Sequence, residues 1–538
     1  MCRLANPIPV IDIFAGPGGL GEGFSVLGRN AGVPSFQIGL SIEKDIYANN
    51  TLKLRSFFRK FPKGKVPAEY YKLTYENKRK DFDYNKLYEK YPEIAAEINE
   101  EVKLRELGGE DVSEKEIDTF IRNALERHKH NHWILIGGPP CQAYSTAGRS
   151  RNKGNKEYVP ENDNRHFLYK EYLRIIANHW PSIFVMENVK GILTSRVNGK
   201  PIFNQILTDL RNPSEAILVP RTNSKKYQYR IFSFTKQPDD FDQDSFPLYR
   251  KPSDFIIECE KYGIPQARHR VILLGIREDI NPNSRNILLE SERIITVADV
   301  INGLPCLRSS LSKIKDSPEA WQEQILDIMD SDWLAEYVNN GINDDLCELI
   351  FDYLAEIRDE LPESDKGAEV LEYTSDSSVY KSWYLDPKMK TVFNSSTRGH
   401  LAEDLHRYLF ASCFSLARGR SPVLMEFPEE LLPKHKNTSE AIKSRTGNFA
   451  DRFRVQGMNK PSTTIMSHIS KDGHYYIHPD PAQCRSLTVR EAARLQTFPD
   501  NYIFTGPRTQ QYVQVGNAVP PLLALQLAKI VLDILKKN

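Results

Sequence analysis

The sequence predicts an α/β chain built on a mostly parallel, doubly wound sheet, with a smaller second domain inserted late. Three observations carry that expectation. From residue 1 to about 280, short apolar runs alternate with stretches compatible with helix. The first run, Val10-Ile11-Asp12-Ile13-Phe14, leads into a glycine-rich turn that opens a helix. Between about 281 and 450 the alternation gives way to helices mixed with irregular segments. Strands alternating with helices make a parallel sheet whose site lies at the strands' C-terminal edge. The expected division is 1–280, an inserted 281–450, and a return to the first domain over 451–538.

Taken in order, the first turn is Ala15-Gly16-Pro17-Gly18-Gly19-Leu20-Gly21. Glycines 16, 18 and 21 have the spacing of a nucleotide-binding turn, where small residues admit a ligand and let the helix pack against the strand. The next run, Phe36 to Ile42, ends at Glu43, an acid placed to hold a ribose hydroxyl pair. The turn lacks the Lys-Ser/Thr ending of a P-loop, so nucleoside triphosphates are disfavoured. A dinucleotide or another adenosine-bearing cofactor remains open.

Trp133-Ile134-Leu135-Ile136 then runs into Gly137-Gly138-Pro139-Pro140-Cys141-Gln142. Glycine freedom and proline rigidity make this a costly ordinary connection, but a good way to present one thiol as a nucleophile. A buried cysteine beside a turn is the competing reading. Further on, Ser182 to Met186 ends in Glu187-Asn188-Val189, and Gln266-Ala267-Arg268-His269-Arg270 precedes Val271 to Gly275. Thr488-Val489-Arg490-Glu491 has capping-box spacing and opens a helix through Gln496, which Phe498-Pro499-Asp500 ends. Gln514-Val515-Gly516-Asn517-Ala518-Val519 follows.

These pieces form six ordered motifs, DxFxGxGG, GGPPCQ, ENV, QxRxR, REAARLQxFP and GNAV, over roughly 8–280 and 450–535. In them the chain resembles the DNA cytosine-C5 methyltransferases of bacterial restriction–modification systems. The resemblance implies a Rossmann-like fold that uses S-adenosyl-L-methionine as methyl donor without a metal, and a target-recognition domain over 281–450. It implies catalysis by Cys141, whose thiolate adds to cytosine C6 and makes C5 nucleophilic. Glu187 would bind the N3/N4 edge, Arg270 the O2, and Arg268 would steady the catalytic loop or a phosphate. For the cofactor it implies Phe14, Ala15, Gly16, Gly18, Gly19, Leu20, Glu43, Pro140, Asn517 and Val519. The acid that reads the adenine amino group has two candidates, Asp111 and Asp118, inside an apparent insertion over 50–132.

Such chemistry needs the base flipped from the duplex. The stretch after Cys141 suits a loop closing on phosphates: Arg149, Arg151, Lys153 and Lys156 lie beside Gly148 and Gly154 with no acid. Gln142 and Ser145 would fill the space left by the base. Two polar segments of the middle region, Asn394 to His400 and Lys434 to Thr438, are candidates for reading base edges.

Composition bounds the rest. Lys and Arg number 72 against 71 Asp and Glu, so binding to double-stranded DNA must use local patches. Residues 343–365 hold nine acids and one base, Arg358, with Leu346, Leu349, Ile350, Tyr353, Leu354 and Ile357 at helical spacing and Asn343 as N-cap. That reads as a packed helix facing away from phosphate. Seven cysteines without CxxC pairs argue against zinc or a disulfide framework and fit a reducing cytoplasm. No signal peptide is apparent, and the run from Ala518 to Leu535 reads as a buried helix, not a membrane span. A monomer, paired functionally with a restriction endonuclease, is the expected form. An RNA cytosine methyltransferase of the same fold, a non-catalytic DNA-binding relative and a nicotinamide-dependent oxidoreductase are weaker readings. The long middle segment, the intact Cys141, Glu187 and Arg270, and the later motifs argue against them in turn.

Overall fold

A computed structural model describes residues 6–29, 34–72, 84–140, 165–197, 200–217, 226–282, 287–360, 371–372, 379–389, 391–433, 451–471 and 473–536. Cys141, the basic stretch after it and the Lys434 to Thr438 segment lie outside them. The chain forms two compact units. The first comprises Met1–Tyr70, Asp83–Arg293 and Ala518–Asn538, and the second Tyr71–Phe82 and Ile294–Asn517.

An eight-stranded sheet organises the first unit. Its strands are β1 (Ile8–Ile13), β2 (Phe36–Glu43), β3 (Val102–Leu104), β4 (Ile134–Gly137), β5 (Ile183–Val189), β6 (Tyr229–Ser233), β7 (Ile256–Glu258) and β8 (His269–Arg277). They lie in the order β7-β8-β5-β4-β1-β2-β3, with β6 also paired to β8. The pairs from β5 through β4, β1 and β2 to β3 are parallel, whereas β8 is antiparallel to β5, β6 and β7. This is the Rossmann-like, doubly wound arrangement expected. The chain runs outward from β1 to β3 and then crosses back to β4, so the order reverses between β1 and β4. Ligands of such sheets bind beyond the strand ends at that reversal.

Strand periodicity explains the two covered faces, since alternate residues point to opposite sides. Ile8, Val10, Ile134, Ile136, Ile183 and Val185 share one core with helix α1 (Gly19–Val26) and the helix Pro521–Leu535. Ile11, Ile13, Leu40, Leu135, Phe184 and Met186 share the other with α3 (Glu114–His128), α4 (Arg165–His179) and α5 (Ile202–Arg211). Helix α2 (Ile46–Arg59) follows β2, its first turn capped by the Asp45 carboxylate, which accepts from Tyr47 N and Ala48 N. Leu523, Leu527, Val531 and Ile534 are buried, so the apolar Pro521–Leu535 is a core helix of this unit.

The second unit has its own core. Helices α6 (Asp344–Asp359) and α7 (Ala402–Arg418) bury Leu346, Ile350, Leu354 and Ile357 against Tyr408, Phe410 and Phe414. The acidic helix is thus packed as expected. Its cap differs: Asn343 is left-handed (φ 55°) and makes no side-chain cap, and its amide oxygen instead accepts from Arg418 Nη2 at 3.0 Å. Helix α8 (Val489–Leu495) has the expected capping box between Thr488 and Glu491, and α9 (Arg508–Asn517) follows it.

Residues 451–517 group with this second unit rather than with the first, so the chain's return falls at 518. Three buried arginines explain why. Arg485 donates to the Leu307 carbonyl and pairs with Glu491, Arg490 donates to the Phe393 and Tyr502 carbonyls, and Arg494 donates to the Val300 carbonyl and both Asp500 oxygens. A buried guanidinium without such partners would be strongly unfavourable, so these residues tie α8 and the residues just before it to the Val300, Leu307 and Phe393 carbonyls, 97 to 194 positions earlier.

Candidate active site

The glycine turn is built from backbone conformations that few residues tolerate. Phe14, Gly16 and Gly18 have φ of 54°, 56° and 92°. Glycine is also required for closeness: a Cβ on Gly19 would fall on the Val519 carbonyl, and one on Gly23 on Ala524 and Leu525. At Gly16, by contrast, a Cβ would meet nothing within 4 Å. Open space over the turn and tight packing beneath it are what a bound ligand requires.

Glu43, at the end of β2, holds this turn. Its Oε2 accepts from Gly16 N at 2.8 Å, and its Oε1 accepts from Lys44 N at 2.9 Å and Asp45 N at 2.8 Å. Burial pushes the carboxyl above its ordinary value, and those three N–H groups offset part of the rise. A carboxylate has about four acceptor sites, so one remains for a ligand hydroxyl. Beyond the ends of β2 and β3 lies a cleft of about 300 Å³ lined by Lys44, Asp45, Leu104, Arg105 and Glu106. Its acids are Asp45 and, paired with Lys44 at 2.7 Å, Glu106, and the sequence reading did not single out Glu106. Its signal was position, two residues past the third strand. Of the two acids favoured instead, Asp111 is exposed. Asp118 is committed to joining α3 and α4, accepting from Arg174 Nη1 at 2.7 Å and His179 Nε2 at 2.9 Å. Burial raises its carboxyl, but those donors and their charge bring it down to about 2.

A second group of side chains converges at the ends of β4 and β5. Gly138, Pro139 and Pro140 leave β4 there, and Asn188 Nδ2 donates to the Pro139 carbonyl at 3.4 Å. Glu187 stands beside them: a Cβ on Gly138 would lie 2.8 Å from Glu187 Oε2. Arg270 Nε lies 2.9 Å from Glu187 Oε1, each side chain 15% exposed. Both can reach one edge because β8 runs antiparallel to β5, with Ile272 opposite Glu187 and Arg270 opposite Val189. The start of β8 therefore meets the end of β5. Arg268 is 1% exposed, so the described structure gives it an internal position rather than one on a phosphate-facing surface.

Of the remaining expected residues, Leu20 and Val519 are buried in the core and Pro140 is half-buried. Asn517 ends α9 in the second unit and is exposed. The five described cysteines all have their thiols pushed up by burial, Cys259 to about 12 despite Arg268 and Arg270 nearby. None of them is poised as a nucleophile. The segment Asn394 to His400 is not a base-reading loop: Asn394, Ser395, Thr397 and His400 are buried. Asn394 exchanges hydrogen bonds with the Phe504 backbone, and His400 Nε2 lies 3.3 Å from Ser486 N. Polar loops that satisfy their own backbone inside a core have the composition of surface loops.

The C-5 cytosine-specific DNA methylase family matches residues 97–213 and 254–532, more than half of the chain. The chain belongs to that family. This methylase is 32% identical to the type II methyltransferase M.Bpa9945I of Bacillus paralicheniformis, over 98% of this chain and 99% of that protein. It is 24% identical to the type II methyltransferase M.DdeI of Desulfomicrobium norvegicum, over 97% and 87% of the two chains. A crystal structure of a prophage-encoded DNA modification methyltransferase candidate from E. coli matches the methylase's fold with a TM-score of 0.50 at 17% identity, covering 98% and 99%. Among the described residues no group of three or more His, Cys, Asp or Glu is arranged to hold a metal ion.

Proposed function

We propose that the methylase flips a cytosine out of double-stranded DNA, adds Cys141 Sγ to its C6 and methylates its C5. The observation that carries this reading is the convergence of Glu187 and Arg270 on the edge where Gly138-Pro139-Pro140 delivers the chain to Cys141. S-Adenosylmethionine supplies the methyl group when bound. Glu43 and the turn hold its ribose and methionine portions, and the Lys44–Glu106 cleft takes the adenine. Glu187 donates or accepts at the N3/N4 edge as charge develops on the ring, and Arg270 fixes the O2 side, so the thiolate attacks an oriented base. Arg268 steadies the catalytic loop from within. A site water is as suitable as a side chain for removing the C5 proton. The basic stretch 149–156 closes on phosphates.

The second unit carries target recognition, and the enzyme works as a monomer in the cytoplasm, protecting sites cut by a cognate endonuclease. Its relatives' type II names support that role. The test is methyl transfer from labelled S-adenosylmethionine to duplex DNA of mixed sequence, followed by base analysis. Label in 5-methylcytosine, absent with Cys141→Ala, is expected. Label in tRNA alone, or in adenine, would overturn the reading.

A further inference from the structure

A further cavity of about 300 Å³ lies inside the first unit and shares no lining residue with the cleft at Lys44. Strand β2 lines it from Phe36 to Ser41, and α2 lines it through Leu52, Ser56 and Arg59. The helix Pro92–Glu101 and β3 close it through Glu97, Glu101 and Val102. Those last pieces lie within the apparent insertion over 50–132, so the cavity is built by what this chain adds to the sheet. A register shift explains why Ser41 faces it. Val10 pairs with Ile38 but Ile11 with Leu40, so Gly39 is skipped. Alternation then restarts, and Ser41 shares the face of Phe36 and Ile38 while Leu40 and Ile42 join the other core.

Its polar groups are unequally committed. Ser41 is 2% exposed, and its hydroxyl makes no hydrogen bond among the described residues. Asn49 stands one turn before Leu52 on the same face of α2, fully buried, with a partner for neither amide atom. Arg59 gives Nε and Nη2 to Glu22 Oε2, at 3.3 and 2.8 Å, which leaves Nη1 without an acceptor among the described residues. The acids, by contrast, are taken. Glu22 is held by Arg55 as well, Glu97 pairs with Lys60 at 2.8 Å, and Glu101 accepts from Lys60 and, at 2.6 Å, from Ser56 Oγ. The free capacity of the lining is therefore a hydroxyl and a guanidinium N–H, set among the apolar side chains Phe36, Ile38, Leu52 and Phe61. Three cations, Arg29, Arg59 and Lys60, line it against two carboxylates, Glu97 and Glu101. Buried polar groups without partners are unfavourable, and a core filled by apolar side chains would hold none.

Cavities of this size, apolar with a few convergent polar groups, are where small molecules bind. What this one offers is donors and positive charge, so the ligand it fits is an anion with an apolar body. We propose that the cavity binds a small organic monocarboxylate, whose oxygens accept from Arg59 Nη1 and Ser41 Oγ while its apolar part lies against Phe36, Ile38 and Phe61. A charged acceptor on a guanidinium makes the stronger kind of hydrogen bond, so the ligand's charge carries much of the affinity. The site is separate from the cofactor turn, and the two are occupied together.

The test follows the isoleucine δ1-methyl spectrum of the whole protein during titration with benzoate, and with benzamide as its uncharged counterpart. Ile38→Val identifies the Ile38 signal. Benzoate should shift that signal saturably, with or without S-adenosylmethionine present. Benzamide should bind at least about tenfold more weakly, and Arg59→Met should weaken benzoate by about 10- to 100-fold. No shift at Ile38, equal affinity for benzamide, displacement of benzoate by S-adenosylmethionine, or unchanged affinity in Arg59→Met overturns the proposal. Should Arg59→Met not fold, Leu52→Phe fills the cavity and keeps Arg59. It should abolish the Ile38 shift, and a shift that persists there overturns the proposal equally. If neither variant folds, the Ile38 shift and the benzoate-to-benzamide ratio in wild type decide.

Discussion

Replacing Glu43 by glutamine tests how the cofactor turn is held. The carboxylate receives Gly16 N on one oxygen and Lys44 N with Asp45 N on the other. An amide has one acceptor oxygen, so its NH2 must face a backbone N–H in either orientation. The cheaper orientation keeps the Lys44–Asp45 pair and turns the NH2 toward Gly16, donor against donor. A hydrogen bond to a charged acceptor is worth about 1.5–3 kcal/mol, and about 1.4 kcal/mol is tenfold in a binding constant. Glu43→Gln should therefore weaken S-adenosylmethionine binding by about 10- to 100-fold with the fold intact. Calorimetry gives the affinity, and amide exchange at Gly16 without ligand reports the freed turn. Affinity within about threefold of wild type, with Gly16 exchange unchanged, would refute the reasoning.

Other outcomes follow from the same geometry. Gly138→Ala places a methyl 2.8 Å from Glu187 Oε2. It should lower kcat by about 100-fold, since an ångström of misplacement costs that much, while cofactor affinity stays unchanged in the same titration. Arg494→Met leaves buried Asp500 without its bidentate partner and should destabilise the second unit by about 3–5 kcal/mol. The double change with Asp500→Leu should recover part of that in urea unfolding. Acid should weaken the second unit in two stages. Burial, reinforced by Arg485, holds His478 below 6.5, at about 4. The unfolded chain takes up that proton first, so stability is full above pH 6.5 and falls as pH drops toward 4. Burial raises Glu491, but Arg485 outweighs it and brings it to about 2, so its contribution is lost between 4.5 and 2. Urea midpoints across pH 7 to 3 check this, and His478→Gln should reduce the first stage without abolishing it, since burial also holds His400 and His406 below 6.5.

Much of the first unit was legible because its signals are local. Ile8 to Ile13, Phe36 to Glu43 and Ile183 to Val189 are strands whose apolar alternation or continuity is visible without knowing their neighbours. The glycines of the turn are dictated by φ and by close backbone approach. The placement of Arg270 beside Glu187 was not legible from spacing: it depends on β8 being antiparallel, a property of pairing. Glu106 was missed because β3 is three residues long and too weak a pattern to anchor a motif. In the second unit, α6 was readable from its period. The assignment of 451–517 was not, because it depends on carbonyls near Leu307 and Phe393 that receive Arg485 and Arg490 across long sequence distances. The Asn394 to His400 segment misled for the same reason, since satisfaction of polar groups inside a core leaves no mark in composition.

The most direct measurement concerns Cys141. Duplex DNA carrying 5-fluorocytosine is incubated with S-adenosylmethionine and either wild type or Cys141→Ala, then resolved on denaturing gels and mapped by mass spectrometry. Fluorine cannot leave as a proton does, so the covalent complex cannot resolve. The account predicts a wild-type adduct whose modified peptide contains Cys141, and none from the variant. A wild-type protein that methylates cytosine C5 yet forms no adduct, or an adduct on another residue, would contradict it.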